Sequence, residues 1–205
     1  MNLLIQKSRF EFTAGNLCLD FTNTVNNRGS EHPKDVLGAY ADLLAWGFAA
    51  GAISARCVER LHARAADIPG HAQTALHSAI QLREAIYAIF TAVANRRQIS
   101  GASLAELNVA VQEASAHARI VHAGRRFAWE WLLPDEHVNS VLWPVARAAA
   151  ELLLSDDLAL VRQCASSDCT WLFLDKTKNH RRRWCEMRTC GNRDKARRYY
   201  ARKKA

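Results

Sequence analysis

Apolar residues in the first three quarters of the chain recur mostly at spacings of three and four, which is the periodicity of helices. Pro33 and Ser54 are expected to begin two of them, because proline suits the first helical turn and serine caps it. Ser103 and Glu106 have the spacing of a capping box at the start of another. The pattern predicts helices over residues 33–50, 54–66, 71–95 and 136–154, and one that begins at Ser103.

The segment from residue 16 to residue 25 fits two periodicities. Leu17, Leu19 and Phe21 alternate as in a strand, whereas Leu17, Phe21 and Val25 recur as on one face of a helix. We interpret it as a helix capped by Asn16, because asparagine is a favoured N-cap residue.

Alternation with a period of two predicts the β structure. Phe10 and Phe12 indicate a short opening strand, and residues 120–122 and 127–131 alternate on either side of a Gly-Arg-Arg turn, as in a β-hairpin. The body is therefore expected to be α+β, mainly helical with a small sheet. Its 205 residues, 49% of them hydrophobic, suffice for one full-sized domain with a small appendage.

The six cysteines fall into two groups. Cys18 and Cys57 are isolated and are expected to be buried as small apolar residues. The other four form two pairs with four-residue spacers, and fifteen residues, 170–184, separate the pairs. This separation allows a hairpin, with residues 171–174 as a strand. The pairs predict one structural Zn²⁺ per chain, with four thiolate ligands: Cys164, Cys169, Cys185 and Cys190.

The first twelve residues lack the pattern of a signal peptide, and the sequence has no apolar run of the ~20 residues that a membrane span needs. We therefore expect a cytoplasmic protein without a membrane partner. A cytoplasmic location also favours metal over disulfides at the paired cysteines.

Positive charge is concentrated at the end of the sequence. Residues 161–205 contain 14 Lys and Arg against 4 Asp and Glu, a net charge of +10, whereas the first 160 residues carry −2. Asn192 is expected to cap a basic helix, with Gly191 in a tight metal loop and Tyr199 or Tyr200 packed back on the zinc unit. Such a tail predicts nucleic-acid binding, through Arg181, Arg182, Arg183, Arg193, Lys195, Arg197, Arg198 and Arg202.

Two cysteine loops, a hairpin and a helix together predict a treble-clef-like zinc finger. DNA is the expected partner, because the tail lacks the aromatic pattern that stacks single-stranded bases. RNA binding and a zinc-dependent protein-interaction module are the alternatives. Salt-sensitive binding to unrelated duplexes would distinguish nucleic acid from a protein partner.

Polar residues cluster on one face of the helix predicted after Asn16, and they have two interpretations. They could bind a small polar ligand in a pocket, or they could form a hydrogen-bonded structural corner. The candidate ligand-binding residues are Asp20, Asn23, Thr24, Arg28 and Trp46. We expect no enzyme, because the sequence lacks a Gly-x-Ser-x-Gly elbow, a phosphate-binding glycine loop and a His-Glu-x-x-His motif.

The residues around the four cysteines resemble the CGNR zinc finger. The resemblance covers residues 164–202 and includes Asp175, the Asn-His-Arg-Arg-Arg-Trp segment 179–184, Cys185-x-Met187 and the Cys-Gly-Asn-Arg motif 190–193. His180 departs from the family's usual small or basic residue, and it raises the question of a histidine ligand.

The body resembles the ABATE domain, which usually precedes that finger. The resemblance rests on the Leu-Asp-Phe-Thr-Asn-Thr segment 19–24, Arg28 and Leu43-x-x-Trp46. The two resemblances imply an ABATE-like domain over residues 1–157 and a CGNR-type finger over residues 158–205. They also imply a bacterial, ligand- or stress-responsive transcription regulator.

Overall fold

The computed structural model describes residues 9–68 and 70–204. The expectation that residues 1–12 form no signal peptide falls largely outside them. The helices are α1 Leu17–Thr22, α2 Tyr40–Ala49, α3 Ala55–Asp67, α4 His71–Ala94, α5 Gly101–Ala116, α6 Trp143–Leu153 and α7 Asn192–Lys204. The strands are β1 Val25–Asn26, β2 Lys34–Asp35, β3 Ala118–Ala123, β4 Arg126–Trp131, β5 Val161–Gln163 and β6 Leu172–Leu174. Strands β1 and β2, β3 and β4, and β5 and β6 form three antiparallel pairs.

Helix α4 forms the centre of the body. It packs against α1, α2 and α5, and α5 packs in turn against α6. Leu82, Ile86 and Ile89 follow one another along its buried stripe and are almost completely inaccessible. Such a stripe at spacings of three and four drives helix packing by burying apolar surface. The predicted mainly helical fold with small antiparallel sheets is confirmed. Within the described residues, no helix has the length and apolar character needed to cross a membrane.

Several predicted elements are confirmed by their local contacts. Asn16 caps α1, because its side chain accepts a hydrogen bond from the Cys18 amide at 3.0 Å. Ser54 caps α3 by accepting from the Cys57 amide at 3.2 Å. The predicted long helix corresponds to α4, and the hairpin corresponds to β3 and β4. Cys18 and Cys57 are both buried, as expected.

The predicted helix start at Pro33 is wrong, because residues 34–35 form strand β2 and the helix begins only at Tyr40. Asp35 accepts two hydrogen bonds from Arg83, at 2.8 and 2.7 Å, and Arg83 is only 3% exposed. A buried guanidinium requires such a partner, and this contact from α4 holds the segment in extended form beside β1.

Three other predicted boundaries are also wrong. Helix α5 begins at Gly101, so Ser103 lies inside its first turn. Helix α6 begins at Trp143, after a 3-10 turn at Ser140–Leu142, and not near residue 136. Phe10 and Phe12 lie outside the described strands.

The zinc-finger segment shares the body's hydrophobic core. All three residues of β6 are buried, and they pack with α1 and α4. The side chain of Asn23 donates to the Leu172 carbonyl at 2.9 Å and accepts from the Leu172 amide at 3.0 Å. The Leu174 amide donates to the Ala14 carbonyl at 2.8 Å. The expected small appendage is therefore continuous with the body.

The strand in the zinc-finger segment pairs differently from the expectation. Strand β6 pairs with β5, which lies before the first cysteine pair. The expected hairpin between the two cysteine pairs is therefore wrong, because the observed hairpin encloses the first pair. The extra partners of β6 come from the body, which the local sequence does not reveal.

We expect Asn23→Ala to lower the free energy of unfolding by about 2–4 kcal/mol. The variant leaves both buried polar groups of Leu172 without a partner, and each such group costs about 1–3 kcal/mol. Urea unfolding of the zinc-loaded chain measures the change. Asn95→Ala is the matched control, because Asn95 bonds Gln163 at an exposed site, and it should cost less than about 1 kcal/mol. Equal effects of the two variants would contradict a special role for Asn23.

Candidate metal centre and nucleic-acid interface

The four cysteines of the two pairs converge on one point. Cys164 follows β5, Cys169 precedes β6, and Cys190 lies in a π-helical turn at Met187–Gly191. The four sulfur atoms lie within 4.8 Å of one another, with Cys169 Sγ 3.6 Å and Cys190 Sγ 3.7 Å from Cys185 Sγ. All four are buried, and none forms a disulfide.

These distances fit a tetrahedral zinc ion. Zinc–sulfur bonds of ~2.3 Å place tetrahedral sulfurs about 3.8 Å apart. Within the cluster, hydrogen bonds from Cys169 and Cys185 lower the pKa of the Cys164 thiol, and Cys164 in turn raises the pKa of those two thiols. A bound Zn²⁺ would supply the positive charge that deprotonates the coordinating thiols. The chain therefore has one structural zinc site, with the four predicted cysteines as its ligands.

The loop between β6 and Cys185 is held by Asp175. This buried carboxylate accepts from the Thr177 hydroxyl at 2.6 Å and from the Arg182 amide at 2.8 Å. His180 is turned toward the same loop, with its Nδ1 2.9 Å from the Asp175 carbonyl oxygen. The cluster of candidate ligands contains only the cysteines among the described residues, so the structure assigns His180 no place in it.

Helix α7 begins directly after the last zinc ligand. Asn192 is its first residue, and its side chain donates to the Arg188 carbonyl at 3.0 Å. The predicted Asn192 cap is therefore wrong, because this side chain stabilises the preceding π turn. The expectation of a backbone that only glycine permits at 191 is not confirmed, because Gly191 has no positive φ. A Cβ atom there would lie 2.4 Å from Met187 Sδ, and this partly exposed side chain can move aside.

The eight predicted nucleic-acid residues differ in their contacts. Arg182 donates to the Trp184 and Cys185 carbonyls, so it stabilises the second cysteine loop. Arg197 pairs with Asp168, and Arg198 pairs with Asp194 at 2.8 Å. The others form no ion pair with any described residue: Arg181, Arg183, Arg193, Lys195 and Arg202.

Helix α7 is exposed along its described length, except for half-buried Asp194. The pair of Arg197 with Asp168 connects the helix to the loop between Cys164 and Cys169. Tyr199 and Tyr200 are exposed and contact each other edge to face. The prediction that one of them packs onto the zinc unit is wrong, because both side chains are more than half exposed.

The body contributes to the surface beside the zinc site. A cavity of about 240 Å³ is lined by Cys169, Cys185, Cys190 and Arg193 of the zinc unit and by Asn26, Asn27 and Lys34 of the body. The sequence gives no signal for Lys34 at this site, because the residue lies far from the basic tail and within a segment predicted to be helical. The β1–β2 pair places it at the same cavity as Arg193, which Glu11 also lines.

The polar groups of the predicted ligand-binding residues are bound mainly by the backbone and by Arg83 and Glu84, although Arg28 Nε is buried without a partner. Thr24 donates to the Phe21 carbonyl at 2.8 Å and accepts from Arg83 at 3.1 Å. Arg28 pairs with Glu84 at 2.5 Å and stacks over the Tyr87 ring at 4.1 Å. The resulting ion pairs lower the pKa of Glu84, although burial alone would raise it.

Little space remains beside these residues. Asp20 is buried and accepts from the Ala14 amide at 3.0 Å, and Trp46 is almost completely buried against Phe21. The cavity that touches Asp20, Asn23, Thr24 and Trp46 measures about 20 Å³, which is room for one water molecule. These contacts favour the structural corner over the ligand pocket.

Asp20 makes the stability of the fold depend on pH. Burial raises its pKa from 3.8 to about 6, so the folded chain favours the protonated carboxyl. This stability contribution is complete below the unfolded pKa and is lost as the pH rises through about 6.

Asp20→Asn keeps an acceptor for the Ala14 amide and cannot ionise. We expect the free energy of unfolding of the variant, relative to the wild type, to rise by about 1 kcal/mol between pH 5 and pH 7. The free energies come from urea unfolding at each pH. A difference between the variant and the wild type that stays constant from pH 5 to pH 7 would contradict the assignment.

Metal analysis should find one zinc per chain, and Cys185→Ser should lose it because three thiolates leave the tetrahedron incomplete. Cys57→Ser is the matched control and should keep full zinc content.

We also expect chelation to lower the unfolding midpoint of the whole chain, because β6 lies in the shared core. An unchanged body midpoint after complete zinc removal would show that the two parts unfold independently.

Two family models match the sequence, and both resemblances inferred from the motifs are confirmed. Residues 15–156 match ABATE, described as "Putative stress-induced transcription regulator", and residues 161–203 match the CGNR zinc finger. A comparison with curated proteins gives no match. Because the first match covers more than half of the 205 residues, the chain belongs to the ABATE family and carries a CGNR zinc finger.

Proposed function

We propose that this protein is a bacterial transcription regulator that binds double-stranded DNA through its zinc unit and α7. The observation that carries the proposal is the exposed basic surface of α7, where Arg193, Lys195 and Arg202 form no ion pair with a described residue. The proposed role is binding rather than catalysis. It implies a cytoplasmic location, because the bacterial chromosome lies in the cytoplasm.

The dimensions of α7 suit a DNA groove. Its thirteen residues correspond to a length of about 20 Å, and the major groove is about 12 Å wide. Arginine and lysine side chains on adjacent faces of such a helix can neutralise phosphates on both sides of the groove. The zinc site fixes the start of the helix, so the basic side chains keep a defined position.

Arg197 and Arg198 can join this surface although each has an acidic partner. Both arginine side chains are about half exposed, and exposed ion pairs contribute only about 0–1 kcal/mol. A phosphate can therefore replace Asp168 or Asp194 at small cost. Lys34 of the body lines the same cavity as Arg193 of the finger, together with one carboxylate, Glu11.

RNA is the second candidate, and one observation favours it. Tyr199 and Tyr200 are exposed on the basic helix, and exposed aromatic rings can stack on unpaired bases. A protein partner is the third candidate, and it would bind the same helix without the steep salt dependence of phosphate contacts.

Replacing Arg193, Lys195 and Arg202 together with alanine should weaken duplex binding for every sequence. Each phosphate contact contributes about 0.9 to the slope of log affinity against log salt, so the slope should become shallower by about 2 to 3. Titrations of zinc-loaded protein with duplex DNA, duplex RNA and single-stranded RNA at four salt concentrations measure both effects.

A matched control removes the same charge elsewhere, through alanine at exposed Arg56, Arg64 and Arg97 of the body. The control should retain the wild-type slope. Equal slopes for both triple variants would exclude α7 as the contact surface. Tighter binding of single-stranded RNA, lost with Tyr199→Ala and Tyr200→Ala, would favour the RNA candidate instead.

A further inference from the structure

The body contains a second cavity, of about 230 Å³, between α5, the β3–β4 hairpin and α6. Its walls are mainly apolar, and they include Val111, Ala114, Trp129, Trp131, Ala150 and Leu154. None of these residues belongs to the predicted polar face or to the zinc unit. The sequence pattern of this region predicts only a hairpin and two helices.

The cavity arises from small residues that face large ones. Ala114 of α5 and Ala150 of α6 leave space where larger side chains would fill the gap between the helices. Ala118 pairs across the hairpin with Trp131, whose ring lies 5.9 Å from the buried Trp143 ring. Trp131 is thereby fixed as one wall. Trp129 forms another wall and remains about half exposed.

One cation lies at the mouth of this apolar space. The Arg147 guanidinium lies 3.9 Å from the centre of the Trp129 ring, and it donates to Glu151 at 2.8 and 2.5 Å. The Arg147 side chain is 24% exposed, whereas that of Glu151 is 61% exposed. The Glu151 side chain can therefore rotate into the solvent at little cost in free energy, while the Arg147 guanidinium stays on the indole ring.

We propose that this cavity binds a small aromatic carboxylic acid. The aromatic ring lies against Trp129 and Trp131, and the ligand carboxylate replaces Glu151 on Arg147. A guanidinium presents two parallel N–H groups to a carboxylate, which gives a strong and directional pair. The cavity is smaller than the ~300 Å³ at which pockets for drug-sized ligands begin, so it suits one or two fused rings.

The site would be the sensor of the proposed regulator, but ligand binding itself does not depend on DNA binding. Ala150 and Leu154 lie at the end of α6, and the chain continues through a 3-10 turn at Asp156–Leu160 into β5 and Cys164. An occupant therefore contacts the end of α6, from which the chain leads through this turn to the first zinc ligand.

Calorimetric titration of the full, zinc-loaded chain with 2-naphthoate tests the proposal. We expect saturable binding with one site per chain, and at least tenfold weaker binding of 2-naphthamide and of 2-naphthylmethylamine. Arg147→Met keeps the apolar stem over Trp129 and should weaken naphthoate binding at least tenfold. Glu151→Gln removes the competing carboxylate and should tighten it two- to fivefold.

Two further variants distinguish binding in the cavity from general effects of a substitution on the protein. Ala150→Phe fills the cavity and should abolish binding of all three probes. Arg119→Met is the matched control, because Arg119 pairs with Glu130 at an exposed position of the same hairpin, and it should leave binding unchanged. Zinc content and circular dichroism verify that each variant is folded.

Absence of saturable naphthoate binding to the wild type would overturn the proposal. Equal affinities for the acid and the amide, or naphthoate binding that survives Arg147→Met, would overturn the assigned ligand class. Because these measurements contain no nucleic acid, failure here leaves the DNA proposal untouched, and loss of DNA binding leaves this result untouched.

Discussion

The pair of hydrogen bonds between Asn23 and the backbone of Leu172 is the contact on which the arrangement of this protein depends. It joins α1 to β6 across 149 residues of sequence, and both groups are buried. The Asn23 carboxamide both donates to and accepts from the backbone of one residue of β6, as the backbone of a neighbouring strand would. The zinc-finger hairpin is thereby completed by a side chain of the body.

Other contacts around this pair fix the same interface. The Trp171 indole donates to the Val25 carbonyl at 2.9 Å, and the Gly29 amide donates to the Asp168 carbonyl at 3.1 Å. A Cβ atom at position 29 would lie 2.0 Å from the Ser167 carbonyl oxygen, so only glycine permits this approach. We therefore expect zinc binding and body packing to be parts of one folding reaction.

This coupling gives the basic helix a fixed place relative to the body. Helix α7 begins at the last zinc ligand, and its Arg197 is tied to the first cysteine loop. Lys34 reaches the same surface from β2, which is held in turn by the buried Arg83. A rigid connection of this kind would let changes in the body alter how the basic surface meets a polyanion.

Features that rest on local signals can be predicted from the amino-acid sequence alone. The zinc ligands were predictable because two cysteine pairs with short spacers are sufficient to indicate a tetrahedral site. Helices α3 and α4 and the β3–β4 hairpin were predictable from a serine cap, a long apolar stripe and strict alternation around a turn. The concentration of positive charge after residue 160 follows directly from the number of charged residues in the sequence.

Tertiary structure decided the roles that depend on partners distant in sequence. Residues 34–35 became a strand because Arg83 binds Asp35, and Asn23 became a bridge because Leu172 lies beside it. The polar face after Asn16 looked like a ligand site, yet buried polar groups in folded proteins are nearly always hydrogen-bonded to one another or to backbone. The apolar cavity at Arg147 has no local signature, since it exists only where alanines from separate elements meet two tryptophans.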